Sequence, residues 1–136
     1  MDAPAEKKSA RKKGCLIFIV MAVALLGYSV WQIREPGRRA HATYDTIRGG
    51  MSTAEVEQLL TGRHYCVYQV QRPGGEWEIV NREDFAKLVA APDSKAYTNL
   101  RLMLTFLGMS PGRVSFIVDL DRAGRVQKLN PPYNWD

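Results

Sequence analysis

Only a few residues in this chain are of types and spacings that could do chemistry. His64 and Cys66 stand two apart in HYCVYQVQ. In a strand that spacing puts both on one face, so a Cys/His nucleophilic pair is geometrically open. Such a pair needs a third group to orient the base, and none follows in sequence, so packed side chains are the expectation. Asp119 and Asp121 offer two carboxylates, but no His, Cys or further acid lies near them, and DRAG at 121 to 124 has the Asp-first, Gly-last form of a turn. Gly49-Gly50 before Ser52-Thr53 raises the question of a phosphate cradle. A P-loop requires G-x-x-x-x-G-K-[ST] after a strand, and here neither the lysine nor the strand is in place. The expectation is a non-enzymatic chain with no cofactor and no metal.

The same glycine stretch has a better explanation as a helix start. Ser52 as N-cap places Glu55 at N3, the S-x-x-E capping box, and Met51 can staple Val56. Val56, Leu59 and Leu60 share one face and Gly62 closes the segment, which predicts a short amphipathic helix over 53 to 61. Tyr44, Ile47 and Met51 repeat every three to four residues, predicting another helix over about 38 to 48, with Gly49-Gly50 as the bend between the two.

After residue 63 the period changes to two. Cys66, Tyr68 and Val70 share a face in the first run, as do Leu100, Leu102, Leu104 and Phe106 in TNLRLMLTF, and Phe116, Val118 and Leu120 in SFIVDLD. Clean alternation of this kind predicts antiparallel strands with one buried face. GMSPG at 108 to 112 joins the two long strands, and RVQKL after the DRAG turn is a last strand. An insert at about 74 to 97 contributes a turn and short strand, RPGGEWEIV, with Trp77 and Ile79 on one side. It continues into a helix capped by Asn81, with Asp84 at N3 and an apolar stripe of Phe85, Leu88 and Val89. Ala91-Pro92 ends that helix.

The front of the chain is organised differently. From Cys15 to Ile33 there is no charge, and at about 1.5 Å per residue a helix of this length reaches roughly 28 Å, close to the hydrocarbon thickness of a bilayer. Residues 1–14 carry five Lys and Arg against two acids, so the tail holds +3 of the formal +5 and the remainder only +2. This balance points to a membrane-surface tail on the cytoplasmic side and not to nucleic acid. Tyr28 and Trp31 suit an interfacial aromatic belt. A cleaved secretory signal is the competing reading, since Ala40-His41-Ala42 has the A-x-A form, but Arg34, Glu35, Arg38 and Arg39 intervene. No lipobox is present, because Cys15 precedes the apolar run; an ordinary apolar residue at the membrane edge is the expectation for Cys15, with palmitoylation as the alternative. In the anchored topology Cys15 and Cys66 lie on opposite sides of the membrane and do not pair. REPGRRA over 34 to 40 reads as a linker, leaving an extracytoplasmic domain over 41 to 136. The fold class expected is α+β, with one transmembrane helix followed by two helices packed on an antiparallel sheet of three to five strands.

The segment IxxGMSxxEVxxxL, here Ile47, Gly49-Gly50, Met51, Ser52, Glu55, Val56 and Leu60, resembles the SmpA/OmlA family, the BamE-like outer-membrane assembly factors, and their relatives with beta-lactamase-inhibitory-protein-like domains. That resemblance implies two helices on one face of an antiparallel sheet, and a role in the bacterial envelope. Where the family's helix runs into L-G-x-P, this chain has Leu60-Thr61-Gly62-Arg63-His64. The insert and the membrane-spanning anchor in place of a lipid anchor also depart from the family pattern.

If the helices cover the Leu100 face, the opposite face displays Arg101, Met103, Thr105, Ser115, Ile117 and Asp119, with Tyr65 and Val67 as neighbours. Tyr133 and Trp135, in the stiff LNPPYNWD terminus, are further aromatic contacts. A mixed face with Tyr, Met and Arg resembles interface composition, unless the Phe85, Leu88, Val89 stripe folds over it. The expected function is a protein-binding or assembly module held in the inner (cytoplasmic) membrane, N-terminus inside and domain in the periplasm. Its partners would be another envelope protein and, through residues 15–33, the bilayer. The alternative from another class is an inhibitor-type domain that blocks a periplasmic enzyme.

Overall fold

Alternation of apolar and polar residues after residue 63 becomes an antiparallel sheet. Strands β1 (His64–Gln71), β2 (Trp77–Val80), β3 (Asn99–Leu107), β4 (Arg113–Leu120) and β5 (Val126–Leu129) lie in the order β2-β1-β3-β4-β5, and a short β6 (Tyr133–Trp135) also pairs with β4. The computed structural model describes residues 3–91, 93, 95–108 and 112–135. Most of GMSPG, Pro92 at the end of the insert helix and Asp136 therefore lie outside the described residues. The five strands of this path fall within the expected three to five, and Tyr133–Trp135 adds a short sixth along β4 beyond the end of β5. Strand register sets Leu100, Leu102, Leu104 and Phe106 opposite Leu120, Val118, Phe116 and Val114, and all eight are buried.

Helices α1 (Ala3–Thr46), α2 (Thr53–Gln58) and α3 (Arg82–Ala90) complete the chain, which divides into a unit Met1–Arg34 and a unit Glu35–Asp136. In the first unit the large apolar side chains from Leu16 to Ile33 are exposed, Phe18 by 74%. By length and composition this helix can cross a membrane.

In the second unit two expectations are corrected. Residues 34 to 40 are helical and not a linker, and the helix expected over 38 to 48 is the last part of α1. Proline costs a helix one hydrogen bond and a steric clash, yet Pro36 is fully buried, and a Cβ on Gly112 would lie 3.8 Å from its ring. Gly37 likewise admits Val114 at 3.9 Å. These two residues shape a helix surface that beds against β4. The count of helices on the sheet also differs from two: Ala40, Tyr44 and Ile47 from α1, Val56 from α2, and Phe85, Leu88 and Val89 from α3 all join one core. Tyr44 meets Phe116 edge-on at 5.6 Å, and Phe85 meets Tyr68 at 4.9 Å.

The caps form as the spacing requires. Ser52 accepts from the Glu55 amide and Glu55 returns a bond to the Ser52 amide, while Asn81 accepts from the Asp84 amide. Helix α2 stops at Gln58 with Leu59 as C-cap, so Gly62 lies beyond it. Its task is different. Gly62 adopts φ +66°, and a Cβ there would stand 2.4 Å from the Arg39 guanidinium. Gly124, at φ +74° in the β4–β5 turn, would likewise bring a Cβ within 2.9 Å of Val89 on α3.

Arg39 fastens α1 to the sheet. It donates to the carbonyls of Thr61 at 2.6 Å, Arg63 at 3.1 Å and Leu107 at 2.7 Å, and lies 5.7 Å from the centre of the Phe106 ring. Its Nε stands 2.9 Å from Glu35 Oε1 but off the hydrogen-bonding line, so that contact is an ion pair alone. Gly62→Ala should lower the unfolding free energy of the full chain in detergent by about 3 kcal/mol, of which ~1 is the positive φ and the rest the contact with Arg39. In an Arg39→Ala background the same substitution should cost only the φ part. Equal costs in the two backgrounds, from denaturant melts, would show the residues to be uncoupled.

Candidate binding face

The sheet has a second face, opposite the one on which Ala40, Tyr44 and Ile47 of α1, Val56 of α2 and Phe85 of α3 pack. Across the strands Tyr65 stands opposite Thr105, Thr105 opposite Ser115, and Ser115 opposite Tyr133. The next rung is Val67, Met103 and Ile117, and the one after is Gln69, Arg101, Asp119 and Lys128. Directly opposed residues in an antiparallel pair point to the same side. The candidate residues Tyr65, Val67, Arg101, Met103, Ile117 and Tyr133 therefore share one face, opposite the helices. Trp135 pairs through its backbone with Arg113. Phe85 packs on Tyr68, from the other face, so the insert helix does not close this surface.

Exposure is uneven across the face. Tyr65 is 38% exposed and Val67, Arg101, Met103, Ile117 and Asp119 are half-buried. Thr105 and Ser115, expected on the open surface, are buried. Their hydroxyls are 2.8 Å apart and satisfy each other, which is how two polar side chains tolerate a dry position.

Sequence reasoning missed Trp77 and Ile79 as members of this face. The β1–β2 hairpin pairs Gln71 with Trp77 and Gln69 with Ile79, so both residues extend the same surface. The Gly-Gly turn followed by an alternating strand carried that signal, because the turn sets the register. Arg101 lies flat over Trp77, its guanidinium carbon 3.7 Å from the ring centre, and donates to Gln69 Oε1 at 2.5 Å. Burial holds the Arg101 guanidinium below its ordinary pKa, with Asp119 acting in the opposite direction. Asp119 also accepts from the Asn130 amide at 3.1 Å. Lys128 pairs with Asp119 and Val126 with Leu120, which leaves Gln127 as the extra residue of a bulge. Beside it opens a pocket of about 590 Å³ lined by Trp77, Asn99, Asp119, Gln127 and Lys128 among others.

The residues with catalytic potential are engaged elsewhere. Asp121 Oδ1 accepts from the amides of Ala123 and Arg125, the turn role its position predicts. Among the described residues no group of three or more His, Cys, Asp or Glu could hold a metal ion. His64 is exposed, with Nδ1 2.8 Å from the Gly62 carbonyl. Cys66 is half-buried under the Glu57–Arg82 ion pair. Burial pushes its thiol up to about 12 and Glu57 adds to this, while Arg82 opposes. At neutral pH the thiol is protonated, the opposite of what a nucleophile needs.

In a Cys15→Ser chain the alkylation rate of Cys66 by iodoacetamide should climb about tenfold per pH unit past pH 9 without levelling, because only the thiolate reacts. The unfolded chain should level off soon after its ordinary value of 9.0. A plateau below that value in the folded chain would mean an activated thiol.

The chain matches no family model, no curated protein and no solved structure, so the reading of this face rests on its own residues.

Proposed function

We propose that this chain is a membrane-anchored, non-catalytic binding module of the bacterial cell envelope, of the SmpA/OmlA (BamE-like) type, which holds another envelope protein against the open face of its sheet. The observation that carries this reading is the uncovered rung of Val67, Met103 and Ile117, flanked by Tyr65 and by the Arg101–Trp77 stack. Three helical elements crowd one side of the sheet, yet none protects these apolar and aromatic side chains on the other. Tyr, Trp, Met and Arg are the residue types enriched at interface cores, and rigid aromatic contacts give the most affinity per side chain. The apolar run in α1 supports an inner-membrane anchor, and the basic tail supports a cytoplasmic N-terminus with the domain in the periplasm.

A photo-cross-linker at Met103 of the full chain in membranes should trap a discrete envelope protein. Ile117→Arg should weaken that capture at least tenfold while changing unfolding free energy by only about 1 kcal/mol. Cross-links from a helix-side position such as Gln58 and none from Met103 would refute the face. Capture of a soluble periplasmic hydrolase, with inhibition of its activity, would instead establish the inhibitor-type alternative.

Topology has its own check. A reporter fused after Asp136 should be active on the periplasmic side. Activity confined to the cytoplasm would reverse the orientation, and a mature N-terminus near Thr43 would show the anchor to be cleaved.

A further inference from the structure

The sheet has two outer edges, and the chain treats them differently. Along β5 the Gly50 amide donates to the Val126 carbonyl at 2.8 Å, the Val126 amide donates to the Met51 carbonyl at 2.8 Å, and Ser52 bridges to Arg125. That edge is closed. Along β2 no described residue takes the corresponding place.

The hairpin register says which groups the β2 edge offers. Arg72 donates to the Glu76 carbonyl at 2.9 Å, and Val70↔Glu78 and Tyr68↔Val80 follow at two-residue steps. These are the hydrogen-bonded pairs of an antiparallel ladder. The N–H and C=O of Trp77 and Ile79 therefore point away from β1, and among the described residues nothing bonds them. Ile79 is 69% exposed, more than any other large apolar side chain after Ile33. Open edges are ordinarily blunted by proline, lysine, bulges or inward charge. This one presents free main-chain groups and an isoleucine.

We propose that β2 pairs antiparallel with β2 of a second copy of this chain, about a two-fold axis that passes through Ile79. When a sheet continues across a two-fold axis normal to it, opposed residues must point to the same side. The axis must then pass through a residue and not between two. Centring on Glu78 would oppose two like carboxylates at the closer, non-hydrogen-bonded spacing and use only the Trp77 and Ile79 groups. Centring on Ile79 sets the two isoleucines against each other through a reciprocal pair of hydrogen bonds, and places Glu78 opposite Val80 of the other copy. It also sets Trp77 opposite Asn81, whose backbone is extended at φ −76°, ψ 168°. Self-complementarity of this kind is what an isologous interface requires. Helix α3 leaves the edge clear, since Phe85 packs on Tyr68 and Arg82 pairs with Glu57. The inference does not depend on the binding-face reading, but the axis keeps both open faces on one side, so the two would join into a single surface.

The test uses the full chain, labelled at its C-terminus and reconstituted in phospholipid vesicles. Single-molecule photobleaching should show two-step events that increase with protein-to-lipid ratio, and hydrogen exchange should show the Trp77 and Ile79 amides becoming protected over the same range. Ile79→Pro removes only an outward N–H and an exposed side chain, and proline is tolerated at such edge positions. It should shift the dimer to at least tenfold higher protein density while leaving the β1–β3 amides protected. Ile79→Lys, which keeps the backbone intact, should do the same, and Met103→Asp on the open face should leave pairing unchanged. One-step bleaching at every loading would overturn the proposal. So would a dimer indifferent to both Ile79 variants, a dimer in which those two amides stay unprotected, or protection that appears only when another protein is added.

Discussion

The Arg39 guanidinium stands where helix α1, the segment after α2 and the end of β3 converge, and from α1 it donates to both of the others. The carbonyls of Thr61, Arg63 and Leu107 lie where their segments leave regular structure, and Arg39 gathers all three, the Arg63 carbonyl also accepting from the Leu107 amide at 2.9 Å. A cation that is partly withdrawn from water carries some desolvation cost, and one carboxylate, three carbonyls and an aromatic face offset it. The arrangement also explains a backbone choice, because the chain must pass close beside a planar group and only a residue without a Cβ fits. Packing of α1 and the path of residues 59 to 64 are consequently one problem with one solution.

How much of this was legible depended on the range of the forces involved. The Ser52 to Glu55 box and the Asn81 cap were read correctly because a capping interaction spans three residues. The faces of β1, β3 and β4 were legible because a period of two leaves no freedom once one side is apolar. The helical state of Pro36-Gly37 was not, since locally both residues argue for a break. What overrules them is burial against Gly112 and Val114, residues some eighty positions away in sequence. The dryness of Thr105 and Ser115 was hidden for a similar reason: each hydroxyl is satisfied by the other, on a neighbouring strand. The candidate face could be assembled from alternation alone, but its outer members Trp77 and Ile79 required the hairpin register.

The two faces of the sheet differ in how their polar groups are treated. On the helix side the described core is largely apolar, its polar members including the buried Thr43 and the Tyr97 hydroxyl, which donates to the Leu88 carbonyl at 3.1 Å. On the other side polar and apolar rungs alternate, and the charged members are held by neighbours: Arg101 by Gln69 and Trp77, Asp119 by Asn130. Fixed side chains lose less entropy when a partner arrives, which is the property the proposed binding role would use. Cys66, by contrast, is held neutral by its burial.

The β4–β5 turn carries a constraint set by a distant helix. Gly124 is needed for its positive φ, which asparagine can also supply, and for its clearance from Val89, which asparagine cannot. The second requirement exists only because α3 lies there. Without α3 beside it the turn would take asparagine; with α3 in place the glycine must stay or the valine must shrink. A single contact thus binds the choice of residue at two positions thirty-five residues apart.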